Sequence, residues 1–250
     1  MLIKKTNEKD HTFSSNFRYQ HANPYHDKMG EYPGLVLRDH EPEVYQGKWN
    51  SNVFERKDAP LHLEVGSGYG DFMMEFCAEN PQVNFVGMDY RFKRSFQVVR
   101  RLSKFAEGSP NFRFLRAKGE RISHIFDENE VDTLYLFFPD PWPKNRHHKK
   151  RLLQENFLKS AYTILRPGGY LFIKTDHDGY FEWMEAFIAA EEISKKFQVS
   201  FRSNNLWQTA DDGHNPCYHF LTSFKTKFEK IFIEQEIKIK SIALKSLKSL

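Results

Sequence analysis

Three short stretches hold residue types that bind and move charged groups. The first is Glu64-Val65-Gly66-Ser67-Gly68-Tyr69-Gly70, followed at once by Asp71. Glycines spaced in this way let a backbone turn tightly and come close to a ligand. A dinucleotide fingerprint needs G-x-G-x-x-G, and Asp71 stands where its third glycine would fall. Glu64 and Asp71 also put negative charge on both sides of the loop, which repels a pyrophosphate and attracts a cationic ligand. S-adenosylmethionine has an ammonium, a sulfonium and no phosphate, so the loop points to methyl transfer rather than hydride transfer. Asp89, with Tyr90 beside it, lies about 20 residues on, where an acid reaches a ribose hydroxyl pair. Nicotinamide cofactors share that ribose, so Asp89 alone does not separate the two chemistries.

The second stretch is Phe138-Pro139-Asp140-Pro141-Trp142-Pro143-Lys144. Alternate prolines fix the backbone angles and hold Asp140 and Trp142 rigidly, which suits near-attack geometry. The run Lys144 to Arg151 follows directly, with five Lys or Arg and two His. A basic run beside a reactive loop fits a phosphate-rich substrate; a lone run of this kind is a solvated face. The third stretch pairs Lys174-Thr175-Asp176 with the distant Thr226-Lys227-Phe228-Glu229. By spacing alone the distant part is an ordinary surface helix.

These stretches need a scaffold. Apolar runs predict strands at 61–65, 83–88, 112–115, 133–138 and 170–174, with further strands at 198–202 and 238–244. Segments of helical period fall at 71–79, 92–105, 154–165 and 180–193. The alternation predicts an α/β fold: a doubly wound, mostly parallel seven-stranded sheet with helices on both faces. Right-handed crossovers place the carboxyl ends of the strands on one rim, the ligand-binding rim of such sheets. The chain divides into an N-terminal arm, 1–55, partly flexible, and one domain, 56–250. Within the arm, Phe13 to Tyr19 mixes aromatic and basic residues, as an RNA-ordered arm or a mobile terminus would. The tail 240–250 repeats Lys, Leu and Ser and is expected to fray.

From about Tyr45 to Leu244 the chain resembles the bacterial tRNA (guanine-N7)-methyltransferases. The matching pieces are Gly47-Lys48-Trp49-Asn50, the Glu64–Gly70 loop, the Phe138–Lys144 loop with Arg146-His147, Lys174-Thr175-Asp176, and Thr226 to Glu229. The proline-aspartate-proline-tryptophan loop is the specific element; the glycine loop marks only the wider class. The resemblance implies a class I methyltransferase fold, with Glu64, Gly66, Gly68, Asp89, Tyr90 and Asp140 at S-adenosylmethionine and Asp140 as the active-site residue. It implies a tRNA substrate contacted by Lys144, Arg146, Asp176, Thr226, Lys227, Phe228 and Glu229. Carboxylates of Asp140, Asp176 and Glu229 are then expected around the guanine, with Trp142 or Tyr90 as stacking partners, or Trp142 as a buried loop anchor instead. Lys118 departs from the acidic or amide residue many relatives carry after the third strand. Thr222-Ser223-Phe224-Lys225 half-mimics the later motif and lacks its glutamate. Two other readings stand beside this one: a methyltransferase acting on a protein or small molecule, and a non-catalytic RNA-binding protein with a degenerate cofactor fold.

Composition narrows the classes further. The chain has 250 residues, 40% hydrophobic and 16% aromatic, enough for a single core. A net charge of +4 fits a polyanionic partner. Two cysteines without CxxC spacing predict buried thiols in a reducing compartment, and no metal site is expected among the eleven histidines. No run reaches the roughly 20 apolar residues of a membrane span, and the start lacks the apolar segment of a secretory signal. A cytoplasmic monomer, with no obligatory protein partner, is expected.

Overall fold

Residues 12–106, 110–210 and 213–249 are described in a computed structural model. The strands are β1 (Val36–Arg38), β2 (Leu61–Val65), β3 (Asn84–Met88), β4 (Phe112–Arg116), β5 (Val131–Phe137), β6 (Leu165–Thr175), β7 (Phe197–Ser203) and β8 (Lys240–Ser246). The helices are α1 (Pro24–Met29), α2 (Asp71–Glu79), α3 (Phe92–Leu102), α4 (Ile122–Ile125), α5 (Glu155–Ile164), α6 (Asp178–Ile188), α7 (Glu191–Ser194), α8 (Pro216–Ser223) and α9 (Lys227–Glu234).

All eight strands join one sheet in the order β1-β4-β3-β2-β5-β6-β8-β7. Neighbours pair in parallel except at β8, which runs antiparallel to both β6 and β7. The pleat sends alternate residues to opposite faces. On β5, Leu134 and Leu136 enter one apolar layer with Phe157 and Leu158 of α5 and Tyr180 of α6. Tyr135 and Phe137 enter the other, with Phe72 of α2, Val98 of α3 and Leu221 of α8. Because residues 134–137 of β5 are buried on both faces, they form a continuous apolar run and not an alternation.

The structure departs from the sequence expectation in four places. The sheet has eight strands, not seven; the extra one, β1, is three residues long and parallel to β4. Three residues are too few to show a period. β6 begins at Leu165 rather than at 170, runs through Pro167-Gly168-Gly169, and absorbs them by a register shift at Val131 and Thr133. The helix expected over 180–193 is two, α6 and α7, parted at Ala189-Ala190. The tail does not fray through residue 246: β8 lies between β6 and β7, with Ile242 and Leu244 buried.

The chain before β2 is pinned by specific side chains. Trp49 is fully buried and donates its indole N–H to the Ile125 carbonyl at 2.9 Å. Glu130 accepts from the Gly47 and Trp49 amides at 2.9 and 3.0 Å. The Gly47–Asn50 motif therefore works as an anchor. Buried Arg121 donates to the Thr12 and Ser14 carbonyls and to Glu43, and the Lys118 amide donates to the Tyr19 hydroxyl at 2.9 Å. Residues 12–19 are thereby packed on the corner after β4. Among the described residues, no helix is long and apolar enough to cross a membrane.

Candidate active site

The chain runs from β2 outward through β3 and β4, then crosses back to β5, so a crevice opens between β2 and β5 at the carboxyl rim. A cavity of about 530 Å³ fills it. Its wall passes from Lys118, Gly119 and Glu120 after β4, through Asp89 and Tyr90 after β3 and Val65 and Gly66 at the end of β2, to Phe138, Asp140 and Trp142 after β5. The strand order thus brings the two sharpest sequence signals to one wall.

The glycine loop is closed by backbone bonds: the Gly66 and Ser67 amides donate to the Met88 carbonyl at 2.8 and 2.9 Å, and Gly70 N–H to Ser67 at 2.7 Å. Gly66 and Gly70 have φ of +86° and +72°, a region costly for residues with a Cβ. At Gly70 a Cβ would also meet Val98 at 2.9 Å. Glu64 lies beneath the loop, buried, and its Oε2 has no hydrogen-bond partner. Burial pushes its carboxyl up to about 8, helped by the charges of Asp71 and Asp89 and opposed by Ser67. Glu64 itself is not part of the cavity wall; a carboxyl buried in this way stays protonated unless a cation lies beside it. Asp89 is also buried, and desolvation raises its carboxyl despite the Arg91 amide, which donates to Oδ1 at 2.9 Å.

On the β5 side, Phe138 and Trp142 have φ of +52° and +43°. Each precedes a proline, and left-handed backbone at bulky residues costs of order 1–3 kcal/mol. The strain is held where Asp140 must be aimed. Asp140 is half-exposed and paired with Arg91 at 2.8 Å. Trp142, half-buried, meets Lys150 Nζ at 4.9 Å from its ring and the edge of His147 at 5.7 Å. The basic run forms a short 3-10 helix, Asn145–Lys150, with Lys144, Arg146, Lys149 and Lys150 exposed. Arg151 instead turns inward, donates to the Pro141 carbonyl at 2.8 Å and packs on Tyr180 and Trp183.

The remaining expected residues divide between rim and interior. Asp176, half-buried after β6, has its carbonyl bonded by Lys240 at 2.9 Å and is not part of the cavity wall. Thr226 caps α9 in a reciprocal box with Glu229. Lys227 lies 5.6 Å from the Tyr69 ring of the glycine loop, and Phe228 is exposed, stacked along α9 on Phe232, which also meets Phe138. Glu229, expected at the guanine, is fully buried; its carboxylate accepts from Lys174 Nζ at 2.9 and 3.0 Å and from Trp207 at 3.1 Å. Burial pushes the Lys174 ammonium down while Glu229 pulls it back up. The pair locks α9 to β6.

Sequence reasoning missed several wall residues. Arg91, Arg94, Thr12 and Glu120 all line the cavity, beside Lys150 of the expected basic run. The Asp89-Tyr90-Arg91 string carried a signal for Arg91, a cation directly after the ribose acid. Thr12 carried none, because a contact across 109 residues with Arg121 leaves no local pattern. Lys118 lines the cavity with its Nζ 5.0 Å from the Phe17 ring.

Comparison with known proteins agrees with this geometry. A family described as "Putative methyltransferase" matches residues 58–237. A tRNA (guanine-N(7)-)-methyltransferase of Streptococcus thermophilus is 39% identical over 81% of this chain and 88% of its own length. One of Enterococcus faecalis is 40% identical over 62% of this chain and 70% of its own, and one of Oenococcus oeni is 34% identical over 82% and 89%. Among solved structures, the 16S rRNA methyltransferase KamB superposes with a TM-score of 0.54 at 16% identity, over 78% of this chain and 92% of its own. A 16S rRNA (adenine(1408)-N(1))-methyltransferase crystallised with its cosubstrate gives 0.50 at 12% identity, over 90% and 92%. At such identities these two likenesses speak for the fold.

Proposed function

Because the chain belongs to the tRNA (guanine-N7)-methyltransferase family, we propose that it transfers a methyl group from S-adenosylmethionine to N7 of a guanine in tRNA. The observation that carries this reading is the single cavity wall running from Asp89 and the glycine loop to Asp140, Trp142 and Lys150. It joins a cation-seeking cofactor pocket to a phosphate-seeking surface.

When bound, the cofactor supplies a methyl on a sulfonium, and the S–C electron pair returns to sulfur as the N7–C bond forms. Guanine N7 presents its own lone pair, so the protein removes no proton from it. The task of the side chains is placement and charge stabilisation. Glu64, its proton lost to solvent, would hold the methionine ammonium from beneath the loop, and Asp89 would take the ribose hydroxyls, with Gly66 and Tyr90 on the wall and Gly68 in the loop behind it. Asp140 sits where positive charge passes to the purine ring, and its carboxylate stabilises that charge. It also accepts from the guanine N1–H or exocyclic amine, donors arranged differently on adenine, which supports base choice. Arg91 holds Asp140 until those donors replace it.

An RNA base must be exposed before it can enter, and Trp142 offers the ring on which it stacks. Lys144, Arg146, Lys149 and Lys150 bind phosphates, with Lys227 and Phe228 of α9 beside the glycine loop and Asp176 reaching the RNA from outside the cavity wall. Thr226 and Glu229 act from behind, by capping and anchoring α9. Two buried free thiols, Cys77 and Cys217, suit the reducing cytoplasm as its place of work. The test is labelled S-adenosylmethionine with unmodified tRNA, followed by nucleoside separation. N7-methylguanosine is expected; label in protein or small molecules but not in tRNA would overturn the reading.

A further inference from the structure

One cluster of ligand-type side chains lies outside the methyl-transfer site. His21 Nε2 and His26 Nε2 both face Asp39 Oδ2, at 2.5 and 2.9 Å, and the three atoms lie within 4.8 Å of one another. Among the described residues no other group of three His, Cys, Asp or Glu converges so closely. We propose that His21, His26 and Asp39 bind a zinc ion, with solvent completing a four-coordinate site.

The surroundings have the form that such sites take. A metal-binding imidazole commonly turns its other ring nitrogen to a carboxylate, which fixes the tautomer and raises basicity. His26 does this: Nε2 faces Asp39, while Nδ1 lies 3.5 Å from Asp27 Oδ1. A liganding carboxylate is in turn held by an outer partner, and Asp39 Oδ1 accepts from the buried Arg116 guanidinium. Asp39 also sits at φ +56°, a strained conformation for a non-glycine residue. Asn23 caps α1 through the Tyr25 amide at 3.0 Å, and Pro24 opens the helix, so His26 stands on a rigid turn. Imidazole and carboxylate together favour zinc over magnesium or calcium.

Two further points bear on the fit. Bonds of 2.0–2.1 Å in a tetrahedron put ligand atoms about 3.3 Å apart, so the imidazoles need only move outward by under about 1 Å. The side chains are 18%, 20% and 13% exposed, enough for an ion to enter. Asp27 and Asp39 offset the charge that Arg116 brings. A bound ion ties residues 21–26 to Asp39, and Arg116 carries the tie onward, since its Nε donates to the Tyr90 carbonyl at 3.0 Å in the cofactor wall.

The experiment uses the full chain stripped by a chelator, titrated with Zn²⁺ by calorimetry and with Co²⁺ by visible absorbance. One equivalent is expected, with the intense absorption of four-coordinate cobalt. His21→Ala with His26→Ala should weaken binding at least 100-fold, and Asp27→Asn about tenfold, as outer partners do. His147→Ala with His148→Ala, neighbouring histidines in the basic run, should leave it unchanged. Should the first double variant fail to fold by circular dichroism, His21→Asn alone carries the test. No uptake by the parent chain, or equal affinity in the His21/His26 variant, overturns the site and leaves an ordinary hydrogen-bonded cluster.

Discussion

The two lips of the cavity are built in opposite ways. The β2–β3 lip is preformed within the chain: Glu64 and Asp89 are buried, the glycine loop is bonded to Met88, and Gly70 packs on Val98. The β5 lip is unfinished: Asp140 is half-exposed, four cations of the run 144–150 face solvent, and Phe138 and Trp142 hold strained backbone. A small cofactor needs a preformed pocket, because its few contacts must each be placed in advance. A large polyanion supplies many contacts of its own, and exposed cations lose little by waiting for it. The difference separates what the protein must rigidify from what its substrate completes.

Three substitutions probe that division, in falling order of effect. Glu229→Ala removes one partner of a buried ion pair and leaves Lys174 uncompensated, a change that costs about 3–5 kcal/mol. Denaturant unfolding should show that loss; a value below 1 kcal/mol would mean that α9 is anchored by something other than Glu229. Asp140→Ala should lower kcat by about 10²–10³, the worth of one well-placed group at a developing charge. Its stability should change by no more than about 0.5 kcal/mol, as for other exposed positions. Full methyl transfer by this variant would move the chemistry away from the β5 lip.

Glu64→Gln comes next and separates function from stability. Losing a charge-assisted hydrogen bond should weaken cofactor binding about 10- to 100-fold, with tRNA affinity unchanged. The stability effect runs the other way. Burial raises the Glu64 carboxyl to about 8, above its unfolded value. Its contribution to stability is therefore fully present below the unfolded value and is lost as pH rises through 8. Without cofactor, the parent chain should lose stability from about pH 5 to 8, and Glu64→Gln should flatten that slope. Cofactor binding below pH 8 should release a proton, seen as a dependence of calorimetric heat on buffer ionisation and absent in the variant. A parent chain that binds without proton release would place Glu64 away from the cation.

Much of the β2–β3 lip was legible in the sequence, because its determinants are local. Glycine spacing, the acids flanking it and Asp89 at a strand end all sit within one βαβ stretch. The β5 loop was legible too, since alternate prolines are visible residue by residue. What escaped is non-local. β1 is three residues long and pairs with β4 some 78 positions away, at Val36 and Phe114. Glu229 looked like a surface residue because its partner, Lys174, is 55 positions earlier. The buried face of α9 is set by that one pair more than by any period. The His21, His26 and Asp39 cluster follows the same rule: its spacing matches no motif, and only the turn of β1 brings Asp39 back.

The smallest effects should come from the basic run, and they discriminate most finely. Lys149 and Lys150 are both exposed, but only Lys150 reaches the Trp142 ring. Each phosphate contact contributes to the salt dependence of RNA binding, and removing one lowers the slope of log K against log[salt] by about 1. Lys149→Ala should do only that, weakening tRNA binding modestly at low salt and converging with the parent as salt rises. Lys150→Ala should show the same slope change plus a loss that salt does not erase, because Trp142 then lacks the cation that fixes its ring. Charge reversal at both positions should roughly double the slope change and leave cofactor binding within error of the parent. Equal loss of cofactor and tRNA affinity in the reversed variant would mean that the run supports the pocket itself, and the two lips would have to be treated as one.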